Sequence, residues 1–210
     1  ETCDDGNTLD GDGCSSECMV VAPPGAAYFD GSSSAQIDET LSYGSTYTIE
    51  LWAMLDMETS YGIGGVGDKT ALSHGSNVGP KLEVDFDKIR AKHTHFQGGL
   101  SVSSSPSLNT WHHIAFVVDG GESRLYLDGV LVETGATSTP DGGILHLGAE
   151  TSGYHFYRGY LDEVHISSVA RYSADFTPDP NPSADEHSMV LFHFDGDWND
   201  ASGHERHASA

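Results

Sequence analysis

The sequence predicts an all-β chain folded as two packed antiparallel sheets. Three observations carry that expectation. Short apolar runs alternate with polar residues at period two, Gly, Asp, Asn and Ser punctuate them, and helical periodicity is almost absent outside one candidate turn at 169–174. Ten or more short strands at such spacing point to a two-sheet sandwich.

The elements follow in order. Cys3, Cys14 and Cys18 are all the cysteines of the chain and sit in its first stretch, around the run from Asp4 to Gly13, which has almost nothing to bury. Only disulfides or a bound cation would order such a piece, and disulfides imply an oxidising compartment. An odd count leaves one thiol without a partner, so the abrupt start at Glu1 leads us to expect a lost upstream cysteine and a longer secreted protein. Residues 1–22 therefore form a small disulfide-stapled acidic unit, and Ala22-Pro23-Pro24-Gly25 is a stiff connector to a sandwich over 23–176.

Strands are expected at 26–31 and 34–38, and again at Tyr47–Leu55, where the odd positions are nearly all apolar. Lys81–Ala91 repeats the pattern, with Leu82, Val84 and Phe86 inward and Lys81, Glu83, Asp85 and Asp87 outward. Further strands are read at 111–118, 123–128, 130–134, 144–148 and 158–167. Asp128-Gly129, between Leu127 and Val130, is the signal of a type I′ hairpin. Residues 177–188 are proline-rich and acidic, an extended surface linker. Residues 189–210 hold one more strand, at 189–194, and a tail that either closes this sandwich or opens a next copy.

Composition narrows the partners. Acidic residues outnumber basic ones 32 to 9, for a formal charge of -23. That charge repels phosphate backbones and anionic lipid surfaces, so nucleic acid is excluded as a partner. Hydrophobic residues, 37% of the chain, suffice for a folded core, yet no run approaches the roughly 20 residues of a membrane span. No membrane insertion is expected.

The ordered set Tyr28-Phe29-Asp30-Gly31, Thr48-Ile49-Glu50-Leu51-Trp52, Thr110-Trp111-His112-His113-Ile114-Ala115, Leu125-Tyr126-Leu127-Asp128-Gly129 and Gly159–Ile166 resembles the laminin G-like, concanavalin A-type jelly-roll family over 26 to about 175. Val190–Asp197 with Asp200-Ala201-Ser202-Gly203 resembles the strand and loop that often precede such a domain, although here they follow it. The Cys3–Cys18 stretch resembles the cysteine-rich repeat of secreted myxobacterial proteins, similar to Notch-type and pappalysin repeats, which carries a further upstream cysteine. These resemblances imply a secreted or cell-surface, non-catalytic module for recognition or adhesion. Its partners would be extracellular glycans or proteins, or neighbouring copies of the same protein, and calcium would be its structural cofactor.

Candidate site residues follow from chemistry and from the resemblance. Asp5, Asn7, Asp10 and Asp12 suit a hard cation, although neither loop register has the oxygen ligand that an EF-hand needs at its fifth position. The resemblance implies a structural calcium at Asp162, approached by Asp30 and the Gly31 carbonyl across paired terminal strands. A second ligand position is implied at Glu150, where Thr151 and Ser152 stand in place of further acidic ligands. Glu83, Asp85 and Asp87 resemble the Glu-x-Asp-x-Glu of laminarinase-like glycosidases, whose retaining chemistry needs carboxyls about 5 to 5.5 Å apart. The shorter Asp87 and the flanking Lys81 and Lys88 favour instead a charged, solvated strand face, and the expectation is that the protein is not an enzyme. His93 with His95 is the best transition-metal pair, without a third ligand to name, and one ring of His112 and His113 is expected to be packed. For sugar contact, which needs an aromatic platform with polar groups beside it, Tyr154, Tyr157 and Arg158 are the expected patch, and Tyr61 is a further loop aromatic.

Overall fold

The computed structural model describes residues 25–56, 70–74, 79–85, 88–92, 99–102, 106–136, 142–150 and 155–209. Cys3, Cys14 and Cys18, the cation loop Asp5, Asn7, Asp10 and Asp12, and Asp87, His93, His95, Tyr61 and Tyr154 all lie outside them.

Among the described residues the chain is all-β, with no helix, and the turn expected at 169–174 is irregular. Sheet I runs β1 (Ala27–Asp30), β12 (Arg158–Ser167), β3 (Thr46–Leu55), β8 (His112–Asp119), β9 (Glu122–Leu127), β10 (Val130–Ala136), with β13 (Ser188–Phe192) also paired to β12. Sheet II runs β14 (Ala208–Ser209), β2 (Ala35–Leu41), β11 (Gly143–Leu147), β4 (Thr70–His74), β5 (Lys81–Asp85), β6 (Lys88–Lys92), β7 (Gly99–Val102). The ladders in both sheets are antiparallel.

Alternation explains the core. In β3 the odd positions Tyr47, Ile49, Leu51, Ala53 and Leu55 enter the space between the sheets. They meet Ile114, Phe116 and Val118 of β8 and, from sheet II, Leu72, Leu82, Val84, Leu145 and Leu147. The expected single strand at 81–91 is two strands, β5 and β6, paired from Lys81 with Lys92 to Asp85 with Lys88. β4, β7 and β14 were not anticipated at all.

Two backbone features place the functional residues. At Asp128 and Gly129 φ is 51° and 77°, the two positive angles of a type I′ turn. In β12 the register with β3 shifts between Asp162 and His165, with Glu163 at φ 48°. Before this bulge Leu161 faces the core; after it Val164 and Ile166 do, so His165 points outward despite its even spacing from Leu161.

Residues 168–187 form an irregular strap across the outer face of sheet I. Thr48 Oγ1 donates to Val169 O at 2.8 Å, Trp52 Nε1 to Asp179 O at 3.2 Å, and Phe176 N to Gly129 O at 2.9 Å. A Cβ on Gly129 would stand 2.0 Å from Phe176 O, so the hairpin glycine serves the strap as well as the turn. Under the strap, Ala170, Tyr172 and Phe176 cover Ala115, Val117 and Tyr126, a second apolar cluster on the outer side. The strap then leads into β13, which returns to β12.

Candidate functional site

Glu83, Asp85 and Lys81 do point away from Leu82 and Val84, but they are 1, 9 and 5% exposed, so the face expected to be solvated is buried. Glu83 is held by Lys81 Nζ at 2.7 Å, Arg90 Nε at 2.7 Å and Lys92 Nζ at 2.9 Å. Burial requires such pairing, because an unpaired carboxylate in this position would cost several kcal/mol. Glu150 belongs to the same network through Lys81 Nζ at 2.5 Å.

Asp30 does not approach Asp162. The β1–β12 register sets Asp30 opposite Arg158 and Ala27 opposite Leu161, so the two carboxylates stand at opposite ends of the ladder. Asp30 Oδ1 instead accepts from the backbone N–H and hydroxyl of Ser32 and of Ser33, at 2.8 to 2.9 Å. These bonds, Ser32's first, hold its carboxyl down at about 2. Asp162 faces Glu163, Asp195 and His193; burial, then the Asp195 charge, raises it to about 6. Among the described residues no group of three or more His, Cys, Asp or Glu is arranged to hold a metal ion, and Asp30, Gly31, Glu150 and Asp162 do not form one calcium cage.

Tyr157 is not a surface contact. It is fully buried, its hydroxyl donates to Met54 O at 3.1 Å, and burial pushes its pKa up. Its neighbour Arg158 is partly exposed, with Nε 3.5 Å from Asp56 Oδ2. Around Arg158 the structure assembles an aromatic row that the sequence reading missed. Tyr28 of β1 and Tyr160 of β12 pair across the ladder, their ring centroids 4.8 Å apart, and Trp111, just before β8, lies 6.4 Å beyond Tyr160. Tyr28 is 43% exposed, and its hydroxyl donates to Asp56 Oδ2 at 3.1 Å. The signal was present: Phe29 and Leu161 take the inward phase, which sends Tyr28 and Tyr160 outward on neighbouring strands. A cleft of about 330 Å³ adjoins the row at Tyr28, lined by Gly25, Ala26, Ala27, Phe194, Gly196, Asp197 and Trp198. One exposed ring and two half-buried ones, flanked by a guanidinium and carboxylates, can stack on a sugar face while bonding its hydroxyls.

Under the strap lies a second polar assembly. Glu50 Oε2 accepts from Tyr172 O–H at 2.7 Å and lies 3.4 Å from His113 Nε2, while Oε1 faces His165 Nδ1 at 3.2 Å. Burial alone would raise Glu50; bonds from His113, His165 and Tyr172 outweigh it and hold the carboxyl at about 2. His165 Nε2 in turn meets Ser188 Oγ at 2.9 Å. The order Ser188, His165, Glu50 is that of a hydrolase triad, but Ser188 and His165 are each 2% exposed. The adjoining void is about 10 Å³, room for one water at most. Asp185, held low by Arg171, also bonds Ser188 Oγ at 3.2 Å, so the assembly serves to clamp the strap.

A family model described as the concanavalin A-like lectin/glucanases superfamily matches residues 29–175. Among solved structures, the chain is similar to a candidate carbohydrate binding protein from Bacteroides ovatus ATCC 8483, at 18% identity over 88% of this chain and 58% of that one, TM-score 0.64. It is similar to domains LG4-5 of the mouse laminin alpha1 chain, at 16% identity over 78% and 48%, TM-score 0.53. Domain 4 of AbnA, a GH43 extracellular arabinanase from Geobacillus stearothermophilus in complex with arabinotriose, is similar at 17% identity over 69% and 71%, TM-score 0.51. At such identities the likeness shows the fold, and the chain spans little more than half of the Bacteroides protein. No curated protein matches the sequence.

Proposed function

The chain belongs to the concanavalin A-like lectin/glucanase superfamily, and on that premise we propose that it is a non-catalytic recognition module that binds glycan on the aromatic row of sheet I. The observation that carries this reading is the row itself: Tyr28, Tyr160 and Trp111 in consecutive contact, with Arg158 and Asp56 beside them. Stacked rings supply apolar contact to the flat faces of sugars, and the flanking charges supply hydrogen bonds to hydroxyls. The Bacteroides neighbour is described as carbohydrate binding, and the arabinanase domain holds arabinotriose, which supports glycan as the ligand class.

A non-catalytic role agrees with the carboxylates. Glu83 is gripped by three cations and buried, where a glycosidase nucleophile needs an open face towards the anomeric carbon. The module would act outside the cell or at its surface, in recognition or adhesion. Calcium is proposed only for the N-terminal Asp5, Asn7, Asp10 and Asp12, whose oxygens suit it, and glycan binding is not routed through it.

The test is a panel of neutral and charged oligosaccharides, titrated calorimetrically with and without EDTA. Binding lost in Tyr28→Ala and Tyr160→Ala but kept in Glu83→Gln supports the reading; hydrolysis of any panel member that stops in Glu83→Gln overturns it.

A further inference from the structure

We infer that the glycan taken by this site is uncharged and linear, and that it runs across the strands from Trp111 over Tyr160 and Tyr28 into the cleft at Trp198. The inference rests on the glycan-binding reading above and adds the ligand's charge, shape and direction.

Continuity fixes the direction. The row steps from β1 to β12 and across β3 to Trp111 at the head of β8, so the track lies perpendicular to the strands, and Tyr28 both ends the row and lines the cleft. Trp198, half-buried at the far wall, presents a fourth ring, held edge-on by Phe29 at 6.0 Å and Phe194 at 5.1 Å. Successive rings are tilted by 44° and 57°, so the track twists as the sheet does and accepts a chain one ring wide rather than a branched head.

Charge fixes the class. Asp56 bonds Tyr28, Asp30 lies opposite Arg158 on β1, Asp197 lines the cleft and Asp195 packs on Gly25 of its wall, against Arg158, which already faces Asp56 at 3.5 Å. Asp197 accepts both the backbone and side-chain N–H of Asn199, at 2.9 and 2.6 Å, which orients its carboxylate at the cleft mouth. With -23 on the whole chain, a uronate or sulfate on the ligand meets repulsion along its length, while hydroxyls find acceptors.

The experiment titrates the protein at 0.15 M NaCl with cello-, xylo-, arabino- and chito-oligosaccharides of two to six units, and with oligogalacturonates and heparin-derived oligosaccharides of equal length. At least one neutral series should gain about three- to tenfold in affinity per unit up to about four units and then level off. The charged series should bind at least tenfold more weakly, and Asp195→Asn and Asp197→Asn should narrow that gap. Trp198→Ala should remove the gain of the last unit; if that variant does not fold, the two Asn variants still test the charge. Neutral binding that is full at the disaccharide overturns the track, and charged chains that bind as well as neutral ones overturn the charge selection, both leaving glycan binding intact. A panel on which nothing binds overturns the functional reading itself.

Discussion

The outer face of sheet I is divided into two regions with opposite fates. Over β3, β8 and β9 the strap closes it, and Glu50, His113, His165 and Tyr172 become a buried, mutually bonded clamp. Over β1 and the start of β12 no described segment covers it, and Tyr28, Tyr160 and Arg158 keep part of their surface in water. The residue types are alike in the two halves: aromatic rings, a carboxylate and a cation. What differs is whether a chain segment lies on top, so polarity here marks structure in one half and recognition in the other.

The largest effect that would break this contrast is in the clamp. Glu50→Ala leaves His113 and His165 buried, and Tyr172 half-buried, without their acceptor and should cost about 3 kcal/mol or more, a fall of roughly 10 °C in Tm for a domain of this size. Calorimetry showing an unchanged Tm would mean the strap is not clamped there. Phe176→Ala removes a ring stacked on Tyr172 at 3.5 Å between centroids and should cost about 2 kcal/mol, with glycan affinity unaltered.

Titration sharpens the comparison. His74, in the core of sheet II, is lowered to about 3 by burial, against a bond to the Pro80 carbonyl that works the other way. The unfolded chain then takes up the proton first, so stability is complete above about 6.5 and lost as pH falls, by about 2 kcal/mol between pH 6.5 and 5. Urea unfolding at those two pH values measures it. Glu163, at the border of the two halves, is raised to about 8 by burial, then by Asp162, Asp195 and Asp179. Its carboxylate oxygen Oε2 lies 2.6 Å from His193 Nδ1. The sign is opposite to that of His74: this contribution is present below about 4.5 and lost as pH rises through 8. Glu163→Gln should flatten the fall of Tm as pH rises from about 4.5 to about 8, and a fall as steep as before would assign the loss elsewhere. The smallest stability change is expected in the open half, where Tyr160→Ala should move Tm by only a few degrees yet weaken glycan binding about tenfold, or about 1.4 kcal/mol.

Much of the sandwich was legible because alternation is local. The odd positions of β3, the Asp128-Gly129 turn and the strand at β12 could be read from neighbours in sequence, since burial of one sheet face imposes period two whatever the partner strand. Short strands such as Gly99–Val102 and Ala208–Ser209 carry too few residues to show a period. The division of Lys81–Ala91 into β5 and β6 was hidden because apolar and charged residues kept alternating through it.

The candidate site divides along the same line. That Tyr28 and Tyr160 face away from the core follows from the sequence, because Phe29 and Leu161 take the inward phase. That they touch one another, and that Tyr157 is buried while Arg158 is not, was decided by the β1–β12 register and the packing beneath it. The same register parts Asp30 from Asp162, and ion pairing across β5 and β6 turns Glu83 from an expected surface charge into a buried one. By itself the sequence determined the all-β class, the phase of its strands and the sign of its charge, all properties of neighbouring residues or of sums. Which outward residues would be covered and which left to meet a ligand was decided only by tertiary structure, because it depends on where a distant segment, 168–187, lies down.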